Sequence, residues 1–125
     1  MEMQNNSKRK IIFKSEKNQA QRTVSREIAA RFASRLEKDG DILSYQSTFP
    51  LTNVSSQISF VGIRRAYRDA EWQSDFVVQN KDGAFSVFEV CLQDELLTKA
   101  CVEQLEISRR YWSALGCKCW KIVVY

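Results

Sequence analysis

The sequence predicts an α/β fold, a mixed β-sheet flanked by helices around an α-β-β-β-α-β core. Three observations carry that reading. Val24, Ile28, Phe32 and Leu36 recur every four residues, which draws one apolar helical face. Two apolar runs, "SDFVVQN" and "AFSVFEVCL", flank "KDG" at 81–83 and read as a β-hairpin. A second amphipathic stretch, Asp94 to Gly116, leads into the strand-like "KCWKIVVY". Helix and strand alternating after a hairpin imply a mixed sheet with helices on its faces.

In chain order, residues 1–20 are polar, basic and without periodicity, and read as a flexible basic arm. Residues 21–125 form a single domain. The first helix starts near Thr23, carries Ala29 and Ala33 beside its apolar stripe, and stops at "KDGD" with Gly40 as its C-terminal signal. "ILSYQSTFPL", rich in β-branched and aromatic residues before Pro50, reads as a strand that is short or irregular. "SQISFVGI" (56–63) reads as a further strand, with Ile58, Phe60 and Gly62 alternating against Ser59 and Val61. A loop, "RRAYRDAEWQ", leads to the hairpin. Asp94 is the expected N-cap of the second helix, whose apolar side runs through Leu97, Cys101, Leu105, Trp112 and Leu115. The full order is thus α-β-β-β-β-α-β.

The 125 residues suit one domain, and 44% hydrophobic with 27% charged residues is a globular composition. No apolar run approaches the ~20 residues of a membrane span. "MEMQNNSKRKII" lacks the pattern of a secretory signal, so a cytoplasmic location and no membrane partner are expected. The net charge of +4 resides wholly in residues 1–22, with six Lys/Arg against two acids; the remainder has thirteen of each sign. A basic arm including Lys8, Arg9 and Lys10 suits phosphate contact or simple solvation. Cys91, Cys101, Cys117 and Cys119 lack paired knuckle spacing and any histidine partner, and read as free thiols rather than a zinc site.

The hairpin carries the chemistry. If "KDG" is a three-residue loop with Gly83 left-handed, Asn80 pairs with Ala84 and Asp75 lies opposite Glu89, with β-carbons ~5 Å apart. A two-residue "DG" loop places Glu89 on the other face instead, and both registers remain open. Phe85 and Val87 share the face of Glu89 while Phe88, Val90 and Leu92 line the other, the pattern of a strand covered on both sides. Two facing carboxylates in such a strand need a shared proton or a cation, and Mg²⁺ with its waters suits two acids at a strand edge. Solvated acids at strand ends, paired with Arg64 or Arg68, are the alternative.

In order and spacing, "SREIAARF", "SYQSTFPL", "SDFVV", "FEVC", "ISRRYW" and "GCKCWKIVV" resemble the PD-(D/E)XK nuclease fold over roughly residues 23–125. They are most similar to the N-terminal catalytic domain of TnsA-type transposon endonucleases. The resemblance implies a restriction-endonuclease-like sheet. It implies that Glu27, Asp75 and Glu89 hold one or two Mg²⁺ or Mn²⁺ ions beside a DNA phosphate, with Glu27 fitting the helix position better than Glu37. It also implies a lysine two residues after Glu89, where this chain has Cys91, and a proline before the aspartate, where it has Ser74. Lys99, or Arg68 from the loop, is the candidate replacement cation; a solvated helix lysine is the plainer reading. Arg64, Arg65, Arg68, Arg109 and Arg110 are candidate phosphate contacts.

Two functions follow. One is a Mg²⁺-dependent DNA endonuclease acting in transposition or mobile-element processing beside a transposase, either minimal and stand-alone or directed by the basic arm or a partner. The other is a degenerate nuclease fold, retaining a DNA surface as an accessory or regulatory factor, which Cys91 favours. A structural α/β protein requires the basic arm and the hairpin register both to be coincidences.

Overall fold

A four-stranded sheet separates two apolar layers in the computed structural model, which describes residues 11–24 and 26–125. The elements are β1 (Ile11–Ser15), β2 (Ala20–Val24), α1 (Glu27–Lys38), β3 (Ile42–Pro50), the single turn α2 (Val54–Gln57), β4 (Gln73–Asn80), β5 (Phe85–Cys91), α3 (Lys99–Ala114) and β6 (Cys119–Val124). Short 3₁₀ turns span Arg65–Asp69 and Gln93–Leu97. The sheet order is β3-β4-β5-β6; the first three strands are antiparallel, and β6 runs parallel to β5. A parallel neighbour needs a long crossover, and α3 supplies it. The mixed α/β class expected from the sequence is thus the observed one.

Alternation along β4 and β5 sorts the two layers. Phe76, Val78 and Val90 pack with Ile28, Ala29, Phe32, Ala33 and Leu36 of α1. Phe32 meets the rings of Phe76 and Phe88, each at a centroid distance of 5.2 Å. On the opposite face Val87 packs with Ile107, Tyr111 and Trp112 of α3. No helix among the described residues is long and apolar enough to cross a membrane.

Four local expectations need correction. Residues 11–20 are not an arm: β1 and β2 pair in register from Ile11↔Val24 to Ser15↔Ala20. Ile11 and Phe13 pack against the α1 layer, and Ser15 is fully buried. Residues 1–10 lie outside the described residues. Consequently Val24 belongs to β2, and α1 begins only at Glu27; Asp39, not Gly40, closes it. Residues 56–63 do not form a strand. Ile58, Phe60 and Ile63 pack singly against the α3 layer, and Arg110 ties this loop down through the carbonyls of Ser59 (2.7 Å) and Val61 (3.0 Å). The second helix begins at Lys99 with Thr98 as its cap, the hydroxyl accepting from the Cys101 amide at 3.3 Å. Leu97 is therefore outside it and 87% exposed, and the buried face of α3 runs through Glu103, Ile107, Ser108, Tyr111 and Trp112.

Candidate functional site

The β4–β5 turn decides the register. Gly83 has φ +91°, its amide donates to the Asn80 carbonyl (3.1 Å), and the Asn80 amide donates to Ala84 (2.8 Å). This is the three-residue loop with a left-handed glycine at its third position. The ladder runs Gln79↔Phe85 to Phe76↔Phe88, so the next pair is Asp75 and Glu89. Here carboxylates replace the ladder bonds. The Asp75 amide donates to Glu89 Oε1 at 2.9 Å, and the Val90 amide donates to Asp75 Oδ2 at 2.9 Å. Across the neighbouring strand, Thr48 sits between the pairs Ser47↔Phe76 and Phe49↔Ser74 with φ +52°. A β-branched residue held left-handed costs about 1–3 kcal/mol, and such strain concentrates where geometry matters for function.

A hydroxyl–indole cluster grips Glu89 from behind. Ser108 Oγ donates to Glu89 Oε2 at 2.5 Å, while Trp120 Nε1 donates to Ser108 Oγ at 2.9 Å. Trp112 Nε1 donates to Ser74 Oγ at 2.8 Å, and the two serine oxygens lie 3.3 Å apart. An indole only donates, and the one proton of Ser108 is committed to Glu89. Ser74 also bonds Glu89, so both serine hydroxyls converge on the carboxylate.

Glu89 is only 5% exposed. Burial, and then the charge of Asp75, push its carboxyl up to about 7, against the opposing bond from Ser108. Burial likewise raises Asp75, although the Val90 amide and the Arg26 charge pull the other way. Both shifts favour a protonated pair over two facing charges. Burial also raises the Cys91 thiol, with Cys101 and Glu95 adding to the effect, so Cys91 is neutral.

Both carboxyls face a cavity of about 1050 Å³, whose lining includes Arg26, Glu71, Trp72, Cys91, Glu95, Cys101 and Ser108. Among the described residues no group of three or more His, Cys, Asp or Glu side chains is placed to hold a metal ion. Mg²⁺ does not demand three, since it commonly binds one or two carboxylates and keeps its waters. The donor set of Asp75 and Glu89, all oxygen and short of positive charge, fits such an ion.

The other expected site residues divide sharply. Glu27 is exposed in the first turn of α1 and does not line the cavity; its neighbour Arg26 does. Lys99 is exposed and likewise absent from the lining, although Thr98, Ala100 and Cys101 contribute. Arg64 donates to the buried Glu103 at 2.6 Å and lies over the Tyr67 ring. Arg109 and Arg110 both bind Glu106, and the bond from Arg109 leads in holding that carboxyl down at about 2. All three are engaged in ion pairs within the chain and none lines the cavity. Arg65 and Arg68 are exposed and make no ion pair among the described residues; Lys8, Arg9 and Lys10 lie outside them. Arg26, Glu95 and Ser108 were not anticipated. Ser108 stands inside "ISRRYW", but only the rotation of α3 shows that it, and not the adjacent arginines, faces the site.

No protein-family model and no curated protein matches the sequence.

Proposed function

We propose that this chain is a TnsA-like, PD-(D/E)XK-type endonuclease domain that hydrolyses DNA phosphodiester bonds with Mg²⁺ or Mn²⁺, in transposition or mobile-element processing beside a transposase. The observation that carries this reading is Asp75 facing Glu89 where β4 and β5 exchange carboxylate–amide bonds, at the wall of the cavity. A helix, three antiparallel strands, a helix and a parallel strand, in that order, support a restriction-endonuclease-like core.

Asp75 and Glu89 would hold the ion, which when bound would supply an activated water and neutralise charge on the scissile phosphate. The protein contributes position. The Asp75 amide and the Ser108 hydroxyl fix both oxygens of Glu89, and the Val90 amide fixes Asp75, so neither carboxylate has to reorganise. Burial favours a protonated pair, and a bound cation would displace that proton. Cys91 adds no positive charge. That neutral thiol is the specific observation behind the second reading, a DNA-binding accessory factor on a degenerate nuclease fold.

Plasmid cleavage in Mn²⁺ and Mg²⁺, with Asp75→Asn and a metal-free sample beside the wild type, separates the two. Metal-dependent nicking lost in the variant is expected of the nuclease. DNA binding with a steep salt dependence and no cleavage assigns the accessory role.

A further inference from the structure

The cavity sets four carboxylates, Glu71, Asp75, Glu89 and Glu95, against a single cation among its described lining residues, Arg26. Arg26 precedes α1 and reaches the Gln93–Leu97 turn, where its Nη2 lies 3.1 and 3.0 Å from the two oxygens of Glu95. That ion pair is half open, with side chains 38% and 35% exposed, and pairs so placed contribute little to stability. Glu95 has a second anchor, the Leu92 amide at 2.7 Å, so it keeps its place without the arginine. The Nε and Nη1 donors of Arg26 make no bond among the described residues. Its charge is felt at Asp75 and Cys91.

We propose that Arg26 is the phosphate-binding cation of this cavity, parked on Glu95 until a phosphodiester takes the carboxylate's place, and that it supplies the positive charge Cys91 lacks. The identity of the ligand as a nucleic-acid phosphodiester rests on the nuclease reading above. A guanidinium is fit for this role because its planar fork pairs with phosphate in two-point fashion and it remains charged. Glu95 then acts as a competitor, present in the free protein and displaced by the stronger anion.

The test measures binding of a fluorescein-labelled DNA duplex without divalent metal, comparing wild type with Arg26→Gln, Arg26→Lys, Glu95→Gln and the double variant Arg26→Gln/Glu95→Gln. Arg26→Gln is expected to weaken binding about tenfold, with Arg26→Lys between it and wild type. Glu95→Gln is expected to tighten binding only while Arg26 is present. Equal tightening in the Arg26→Gln background would reduce Glu95 to a general repulsion and overturn the proposal, as would Arg26→Gln binding like wild type or a wild type that binds no DNA. If Arg26→Gln melts abnormally low, Arg26→Lys and Glu95→Gln, which retain a charged or polar group, decide the matter. Stabilisation by Mn²⁺, lost in Asp75→Asn and kept in Arg26→Gln, reports on the nuclease reading separately. The Arg26 effects without any Mn²⁺ effect would leave the phosphate site standing and remove the nuclease.

Discussion

Replacing Glu89 by glutamine tests the electrostatics of the site directly. Below about pH 4.5 the glutamate is protonated in the folded and the unfolded chain alike and makes no pH-dependent difference. As pH rises from there to about 7, the unfolded chain releases its proton while the folded chain keeps it. The folded state then binds more protons, so stability falls with rising pH, and the loss is complete above about 7. The gap between 4.5 and about 7 corresponds to about 3 kcal/mol. Glutamine is neutral throughout and retains an oxygen for the Asp75 amide. Glu89→Gln is therefore expected to match wild type near pH 4.5 and to exceed it by up to about 3 kcal/mol at pH 8, a melting difference of about 10 °C for a chain of this size. Urea titrations at a series of pH values read the slope. Saturating Mn²⁺ at pH 8 is expected to raise wild type and not the variant, because an ion that binds only the native state stabilises it. A wild-type-to-variant difference that is flat from pH 4.5 to 8 would refute the reasoning, since it would mean that Glu89 titrates as an ordinary carboxyl.

Ser108→Ala removes the hydroxyl between Trp120 and Glu89. It is expected to cost about 1–3 kcal/mol and to move the midpoint of that pH slope upward, because the bond from Ser108 opposes the rise of Glu89. Glu37 accepts from Ser15 Oγ (2.5 Å), from the Lys17 amide (3.2 Å) and from Tyr45, and so clips the β1–β2 hairpin to α1 and β3. Burial pushes its carboxyl up, but these bonds outweigh it and hold it below the usual range. That stability is present above the ordinary carboxylate pKa and disappears as pH falls through the depressed one; Glu37→Gln is expected to speed amide exchange across residues 11–24 at neutral pH. Arg64→Gln is expected to cost about 1–2 kcal/mol by stranding Glu103, discounted for the exposure of the arginine, with little change in DNA affinity. Arg65→Gln and Arg68→Gln are expected to leave melting unchanged and each to reduce the salt slope of DNA binding by about one.

What could be read from the sequence was what is encoded locally. "KDG" narrows its turn to two loops, and the three-residue loop, which the left-handed Gly83 decides, places Asp75 against Glu89 by counting. From Ile28 through Phe32 to Leu36 the four-residue period of α1 survives because these residues meet the same sheet face. Features set by distant partners were not legible. "IIFKS" is too short for its alternation to stand out, and the buried Ser15 is satisfied by a distant partner, Glu37, 22 residues on, which accepts its proton. "SQISFVGI" has a strand's alternation, but its apolar residues plug the α3 layer one by one in a loop. Arg26 and Glu95 are 69 residues apart, and no spacing rule joins them. Ser108 was hidden because the stripe expected on α3 included Leu97 and Leu115, both of which are exposed.

The charge balance of the cavity explains why a thiol can occupy the position after Val90. A lysine there would sit beside Asp75 and Glu89 and favour ionisation of both. With Cys91 in its place, 3% exposed and neutral, the strand end buries without stranding a charge, and the electrostatic debt passes to the carboxyl pair. The pair meets it by retaining a proton. That proton would occupy the role of a divalent cation, and Arg26, the single cation of the described lining, is bound to Glu95. On the nuclease and phosphate readings proposed above, the resting site is held by two weak devices, one proton and one half-open ion pair; a cation would displace the first and an anion the second. A dication in place of the single proton would leave the site more positive than the resting pair, so metal and phosphodiester are expected to bind with positive coupling. A Mn²⁺ titration of Asp75→Asn and wild type, each with and without uncleaved DNA, measures that coupling directly, and equal Mn²⁺ affinities with and without DNA would sever the link between the two devices.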